Sequence, residues 1–241
     1  MRLIASSPFS ARPDILTKIL HIDASARPGL GGIDPHGSYS RRLTQTFVSR
    51  WLSLQPDAEV RYRDIGKQPP AHVDQRWIEA AFGSERDSAW ALEVLAPSNE
   101  LIDELLWAEV LVLGVPMYNF GMPSSLKAWI DQIVRLNRTV FHTPGVEGFP
   151  YTGAFAGRKL PVVVLSSRGD YELNPGGQYA HMNHLEPAIK TSLGFIGFEE
   201  FHSIAVEHQS DGGQLLEASL DSALSATTML AENVLEMCTA Q

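Results

Sequence analysis

Three short stretches of the sequence combine hydroxyl, amide, aromatic and glycine residues directly after apolar runs. They cover residues 25–40, 117–120 and 167–169. Hydroxyls and backbone N–H groups beside a helix N-terminus bind anions such as phosphate. Flat apolar side chains with one polar neighbour suit a planar heterocycle. The residue types therefore indicate a site for a phosphorylated ring compound.

The first stretch has the composition of a phosphate-binding loop. It offers hydroxyls at Ser25, Ser38 and Ser40, the cation of Arg27 and several glycines, and it leads into a predicted helix. The alternative is that Ser38 or Ser40 only caps that helix. The sequence has no G-x-x-x-x-G-K-[ST] motif, and its glycines do not form the dinucleotide fingerprint, so a nucleotide-hydrolysing P-loop is disfavoured.

The second and third stretches would face the ring. Tyr118 and Phe120 are flat and apolar, Asn119 is polar, and the alternative is a loop that packs in the core. In the third stretch, Arg168 either faces a developing negative charge or is an ordinary exposed arginine. Gly169 makes this stretch flexible.

Five predicted strands must position these stretches. The central one is the apolar run at 110–115, which is short enough for a strand buried on both faces. Pro116 follows it, and a helix is predicted from apolar spacing after Pro123. The other strands are predicted at 18–22, 59–64, 160–165 and 200–206. Strands that alternate with helices predict a doubly wound parallel sheet of order 2-1-3-4-5 with helices on both faces.

The helices and loops between these strands are predicted from periodicity and from proline. The helix after Ser38 should turn Leu43, Phe47, Trp51 and Leu54 inward. Further helices are predicted near 75–82 and 87–95, from Asn99, and at 180–194, with Pro97 as a break. The segments 137–158 and 171–178 are predicted to be irregular loops. The C-terminal helix should bury one stripe: Leu216, Leu220, Ala223, Thr227, Leu230, Val234 and Met237.

Composition narrows the function. With 241 residues and 44% hydrophobic residues, the chain fits one large domain over 17–241, after a loose extension over 1–16. The net charge of −9 disfavours a nucleic-acid partner. The one cysteine, Cys238, fits the reducing cytoplasm. No apolar run approaches the roughly 20 residues of a membrane span. The histidines lack metal-binding spacing, and no G-x-S-x-G elbow is present.

The chain resembles the FMN-dependent NADH-azoreductase family, which is flavodoxin-like and related to the NAD(P)H:quinone reductases. The resemblance spans roughly residues 18 to 235. It rests on Pro116-Met117-Tyr118-Asn119-Phe120 with the helix that follows, on Asp23-Ala24-Ser25 with Ser38-x-Ser40, on Ser167-Arg168-Gly169, and on Leu193-Gly194-Phe195-Ile196-Gly197. It departs in the longer loop at 26–37 and in Asp170, where many members have a second glycine.

The resemblance implies a residue set for the cofactor, and no metal. The FMN phosphate would be held by Ser25, Ser38, Tyr39 and Ser40. The ring would be held by Met117, Tyr118, Asn119 and Phe120, and its pyrimidine side would be lined by Ser167, Arg168 and Gly169. No residue is assigned a catalytic role of its own, because the flavin would carry the redox chemistry.

The resemblance also implies an activity and an assembly. NADH or NADPH would reduce the flavin, and a quinone or azo compound would be reduced in turn by a ping-pong mechanism in a homodimer. Phe120, Phe141 and Tyr151 are hypothesised to form an apolar substrate wall. Two alternatives stay open: an acyl-carrier-protein phosphodiesterase-type hydrolase, and a flavodoxin-like electron carrier.

Overall fold

A computed structural model describes residues 16–84, 87–145 and 149–240, and every structural statement below concerns these residues. Its centre is a five-stranded parallel sheet of order β2-β1-β3-β6-β7. The strands are β1 (Lys18–Asp23), β2 (Glu59–Asp64), β3 (Val110–Pro116), β6 (Pro161–Ser167) and β7 (Glu200–Val206). Because β4 (Val140–His142) and β5 (Tyr151–Gly153) form a separate hairpin, the sheet has the predicted order 2-1-3-4-5, which is confirmed.

Helices cover both faces of the sheet. They are α1 (Tyr39–Leu54), α2 (Gln75–Phe82), α3 (Ala89–Val94), α4 (Ala96–Trp107), α5 (Ser124–Ile133), α6 (Leu185–Phe195) and α7 (Gly213–Thr239), with a 3-10 turn at Ala180–Met182. The helices α1 and α7 pack on one face. The helices α4, α5 and α6 pack on the other. The short helices α2 and α3 share a small cluster of their own around Trp77 and Leu95.

The central strand divides the two cores. Every residue of β3 is buried. Val110 and Val112 face the α1 and α7 side, whereas Leu111, Leu113 and Val115 face the α4 to α6 side. Side chains alternate across a strand, so an unbroken apolar run supplies both cores at once.

Two predicted inward stripes extend too far. In α1, Leu43, Phe47 and Trp51 are fully buried as predicted, but Leu54 is 41% exposed. In α7, Met237 is 37% exposed although the middle of its stripe is buried. Both residues lie in the last turn of their helix, and at the end of α7 Cys238 rather than Met237 packs against the core.

Three local predictions were wrong in detail. The predicted break near Pro97 is present, because α3 ends at Val94, but α4 begins at Ala96 rather than at Asn99, with Pro97 in its first turn, where the missing N–H is not needed. The predicted helix over 180–194 is interrupted at Asn183 and His184: a 3-10 turn covers Ala180–Met182, and α6 begins at Leu185, whose N–H donates to the Asn183 side chain at 3.0 Å. The segment 137–158, predicted to be irregular, contains the β4–β5 hairpin.

The predicted loose extension over 1–16 lies outside the described residues except for Leu16, which is exposed. The strand β2, predicted at the sheet edge, does lie there. No helix in the described ranges is long and apolar enough to cross a membrane.

Substitution of a glycine in β3 can test how closely the residues at the carboxyl end of the central strand are packed. A Cβ on Gly114 would overlap the Asp23 carboxylate and lie 2.9 Å from Thr44 Cγ2. Asp23 cannot move freely, because Thr44 and Tyr62 both donate to it. We expect Gly114→Ala to lower the free energy of unfolding by about 1–3 kcal/mol in urea denaturation. Gly194→Ala is the control: it lies in α6 with open space around it and should add up to about 1 kcal/mol. Equal midpoints for the two variants would contradict this account.

Candidate functional site at the carboxyl edge of the sheet

The three predicted stretches lie together at one edge of the sheet. The strands β1, β3 and β6 are neighbours, so their carboxyl ends meet there. The first stretch contacts the second, because the Ala26 N–H donates to the Tyr118 hydroxyl at 3.3 Å. The second contacts the third, because the Met117 N–H donates to the Ser167 carbonyl at 2.8 Å. The sequence-distant stretches therefore form one continuous surface.

The first stretch places its hydroxyls at the N-terminus of α1. Ser38 caps the helix, since its Oγ accepts from the Arg41 N–H at 3.4 Å, and its Oγ also lies 3.0 Å from that of Ser40. Ser38 is therefore the N-cap of α1, and its hydroxyl lies at the same helix N-terminus as that of Ser40. The N–H groups of Tyr39 and Ser40 also belong to the first turn, where a helix has no carbonyl of its own to offer them. These donors and the helix dipole suit an anion.

Backbone hydrogen bonds close the same stretch. The Ser38 N–H donates to Gly29 at 3.1 Å, and the Gly31 N–H donates to Ser38 at 2.9 Å. The Ser25 hydroxyl lies near the start of the stretch and accepts from the Arg27 N–H at 3.2 Å. The long insertion at 26–37 thus folds back on the start of α1. Its hydrogen-bonded backbone holds Ser25, Ser38 and Ser40 in place.

The second stretch is a tight two-residue turn. Tyr118 and Gly121 exchange backbone hydrogen bonds at 2.9 and 3.0 Å. Asn119 and Phe120 between them have φ angles of +48° and +65°. The left-handed region is tolerable for asparagine but costs a phenylalanine about 1–2 kcal/mol. This local strain accompanies an unusual display of aromatic surface.

The aromatic side chains of this turn are open to solvent. Tyr118 is 39% exposed and Phe120 is 38% exposed. The alternative that the loop packs in the core is therefore wrong for these two rings, although Met117 packs at the border of the core. Strained turns that expose apolar side chains are typical of ligand sites.

The third stretch differs from its prediction. Arg168 is only 1% exposed, and its guanidinium pairs with Glu186 at 2.7 Å and Glu207 at 3.0 Å. Arg168 is thus neither an exposed arginine nor free to face a developing charge, because it ties β6 to α6 and to the end of β7. Burial alone would raise the pKa of Glu186, but the charge and hydrogen bonds of Arg168 lower it. Ser167 is buried and Gly169 is half-buried, so this stretch offers mainly backbone.

Two residues of the hypothesised substrate wall lie on the β4–β5 hairpin, and the third lies in the turn at 117–120. Phe141 and Tyr151 lie on the β4–β5 hairpin and are 43% and 41% exposed. Tyr151 contacts the rings of Phe149 and Phe195, at centroid distances of 5.4 and 5.9 Å. No ring contact between described residues joins Phe120 to either hairpin residue. Residues 16–84, 87–145 and 149–240 also contain no group of three or more His, Cys, Asp or Glu side chains that could hold a metal.

Arg41 contacts the first stretch, although no motif in the sequence indicated it. It is buried at the start of α1 and donates to the carbonyls of Ser25 and Arg27 in the first stretch. A signal was available, because a cation in the first turn of a helix opposes the helix dipole and needs another reason to be there. Its acidic partners, Asp23 and Asp64, end the two neighbouring strands β1 and β2.

Comparison with known proteins agrees with this architecture. Residues 17–228 match the family described by its flavodoxin-like fold. An FMN-dependent NADH:quinone oxidoreductase of Colwellia psychrerythraea is 38% identical over 206 residues, which cover 85% of this chain and 93% of that protein. An FMN-dependent NAD(P)H:quinone oxidoreductase of Pseudomonas aeruginosa is 36% identical over 210 residues, covering 86% and 95%. The chain belongs to this quinone oxidoreductase family.

Two solved structures have the same fold. An azoreductase from Bacillus anthracis str. Sterne superposes with a TM-score of 0.76 at 20% identity, covering 90% of this chain and 99% of that one. An FMN-dependent NADH-azoreductase from Bacillus anthracis str. Ames Ancestor, in complex with FMN, gives 0.74 at 18% identity, covering 90% and 99%. At these identities the likeness shows a shared fold and nothing more.

The strained turn of this family member can be tested by comparing two truncations of one ring. Phe120→Ala keeps a Cβ in the left-handed region, whereas Phe120→Gly does not, so the glycine variant should be more stable by about 1 kcal/mol in urea denaturation. At Tyr118, which is outside that region, the order should reverse, because glycine there only adds unfolded-state entropy. The same order at both positions would show that the turn is not strained.

The buried pair behind the third stretch should be visible in the pH dependence of stability. The pKa of Glu186 lies below its ordinary value of 4.5. Its ionised form therefore stabilises the fold above that pH, and this stability is lost as the pH falls through the folded-state pKa. We expect Glu186→Gln to lower the free energy of unfolding at pH 7 by about 1–3 kcal/mol and to flatten its decline below pH 4.5. Glu217→Gln, on the exposed side of α7, is the control. An acid-unfolding curve as steep as that of the wild type would contradict this assignment.

Proposed function

We propose that this protein is an FMN-dependent NAD(P)H:quinone oxidoreductase that also reduces azo compounds. The observation that carries the proposal is the convergence of the three stretches where the strand order reverses, between β1 and β3. They contact one another there through Ala26 with Tyr118 and Met117 with Ser167. Open α/β sheets bind their ligands at this position. The names of the relatives agree with the assignment.

The residues at this edge fit FMN in three respects. The hydroxyls of Ser25, Ser38 and Ser40 and the N–H groups of Tyr39 and Ser40, in the first turn of α1, suit a phosphate. The turn at 117–120 offers exposed aromatic faces to a flat ring. The stretch at 167–169 offers backbone to a polar ring edge. When bound, FMN supplies two-electron redox chemistry, accepting hydride from NADH or NADPH and passing electrons to the acceptor.

Some backbone donors at 117–120 and 167–169 are already used within the protein. The N–H groups of Met117, Tyr118 and Arg168 already donate within the protein. Within the described part of the chain, the N–H groups of Asn119, Phe120 and Gly169 have no acceptor. We propose that these three donors face the polar edge of the ring, where oriented N–H dipoles stabilise negative charge.

Reaction order and assembly are further parts of the proposal. We propose a ping-pong order, in which the nicotinamide leaves the exposed face beside Tyr118 and Phe120 before the acceptor binds. A homodimer is supported by the exposed aromatic surface of Phe141, Phe149 and Tyr151, which a second copy would cover. One domain over 17–241 is supported by the family match. Cytoplasmic localisation is supported by a single cysteine, Cys238.

The function can be tested with purified protein and FMN. We expect the protein to retain FMN after desalting, to lose its yellow colour anaerobically with NADH, and to regain it when a quinone is added. Ser40→Ala should weaken FMN binding by about tenfold, since a hydrogen bond to a charged group contributes roughly 1.5 kcal/mol. Ser53→Ala, on the exposed end of the same helix, is the matched control.

The results that contradict the proposal are distinct. Protein that takes up no flavin but cleaves a phosphodiester would be a hydrolase. Protein whose flavin accepts electrons only from a partner protein, and not from NADH or NADPH, would be an electron carrier. Equal FMN affinity for Ser40→Ala and wild type would exclude the hydroxyl of Ser40 from the phosphate site.

A further inference from the structure

The side chain of Arg41 uses every donor it has. Its Nε donates to the Arg27 carbonyl at 2.9 Å, and its Nη2 donates to the Ser25 carbonyl at 2.8 Å. The same Nη2 reaches Asp64 at 2.7 Å. Its Nη1 donates to Tyr62 at 2.8 Å and to Asp23 at 3.4 Å. A guanidinium carries five N–H groups, and here five acceptors receive them.

These acceptors fall into two groups with different effects. Asp23, Tyr62 and Asp64 lie at the ends of β1 and β2 and hold the guanidinium in place from the sheet side. The carbonyls of Ser25 and Arg27 belong to the first stretch. Arg41 therefore ties the first residues of that stretch to the rigid sheet, directly behind the helix turn that carries Ser38, Tyr39 and Ser40.

The charge of Arg41 is not available to attract an anion. Its side chain is 8% exposed and lies between the carboxylates of Asp23 and Asp64, so the local charge is already balanced or negative. A buried ion pair is weak evidence for stability, because desolvation offsets much of the attraction. The helix dipole adds to this cost at the first turn. The surrounding residues therefore depend on the hydrogen-bond directions of the planar guanidinium rather than on its charge.

We propose that Arg41 is the positioning residue of the phosphate site, acting by holding the carbonyls of Ser25 and Arg27 so that the hydroxyl of Ser25 faces the N-terminus of α1. This inference rests on the proposed function, since the phosphate is that of FMN. Arg41 does not touch the phosphate. It sets the distance between the two sides of the loop that do.

The test compares FMN with riboflavin, which differs from it only in lacking the phosphate. The dissociation constant for riboflavin divided by that for FMN measures what the phosphate contributes to binding. General destabilisation of the protein affects both constants and does not change this ratio selectively. We expect Arg41→Gln and Arg41→Lys both to lower this ratio by about tenfold or more, which corresponds to one lost charge-assisted hydrogen bond. Riboflavin binding should change much less. Arg50→Gln is the matched control, because Arg50 lies on the same helix and pairs with Glu232 away from the loop.

The lysine variant separates position from charge. Lysine keeps the cation but not the planar fork, so a wild-type ratio for Arg41→Lys together with a low ratio for Arg41→Gln would overturn the proposal in favour of charge. Unchanged ratios in both variants would overturn it outright. If neither variant folds, Tyr62→Phe removes one contact to Arg41 at an exposed position and should lower the ratio by about threefold. An unchanged ratio in that variant would overturn the proposal as well.

Failure of the inference and failure of the function can be told apart. Wild-type protein that binds neither flavin contradicts the proposed function. Wild-type protein that prefers FMN, with the same preference in the Arg41 variants, contradicts only the role of Arg41.

Discussion

The parallel pairing of β1, β3 and β6 is the constraint on which the site depends. Asp23 pairs with Gly114, and Pro116 pairs with Ser167, so the three strands end at nearly the same level. The loops that follow these strands therefore all lie at the carboxyl edge of the sheet. A shift of one strand by one residue would exchange the side chains that face the two cores, and the packing of both cores opposes this. The packing on both faces of the sheet thus also fixes the register of the ligand site.

Buried charges then stiffen the loops from behind. Arg41 connects the first loop to β1 and β2, and Arg168 connects the third to α6 and β7. Both guanidiniums are paired with two carboxylates, so neither leaves an uncompensated charge in the interior. In each case the arginine holds the loop backbone from the side of the sheet. Rigid loops of this kind lower the conformational entropy lost when a ligand binds.

Local patterns predicted most of the fold and the outline of the site. The run at 110–115 shows a strand buried on both faces, and Ser38 before an apolar helical stripe shows where α1 begins. The errors at Arg168 and at 137–158 arise from contacts between separate elements. Arg168 is buried because Glu186 and Glu207 reach it from two other elements. The hairpin of β4 and β5 forms because two segments without strong periodicity pair with each other. Neither partner can be found from the local sequence alone.

The turn at Asn119 and Phe120 shows how the fold leaves room for a ligand. With phenylalanine in a left-handed conformation, the fold is less stable than it would be with glycine at the same position. The ring of Phe120 is partly exposed, so its burial contributes little to stability. The protein therefore gives up stability at this position twice, in backbone strain and in apolar surface left in water. A ligand that covers the rings of Tyr118 and Phe120 recovers the second loss without requiring the backbone to move. Because the carbonyl of Phe120 already accepts from the His184 N–H at 2.9 Å, the turn keeps this shape before anything binds. The exposed, strained turn is thus a preorganised surface that suits a flat, apolar ligand.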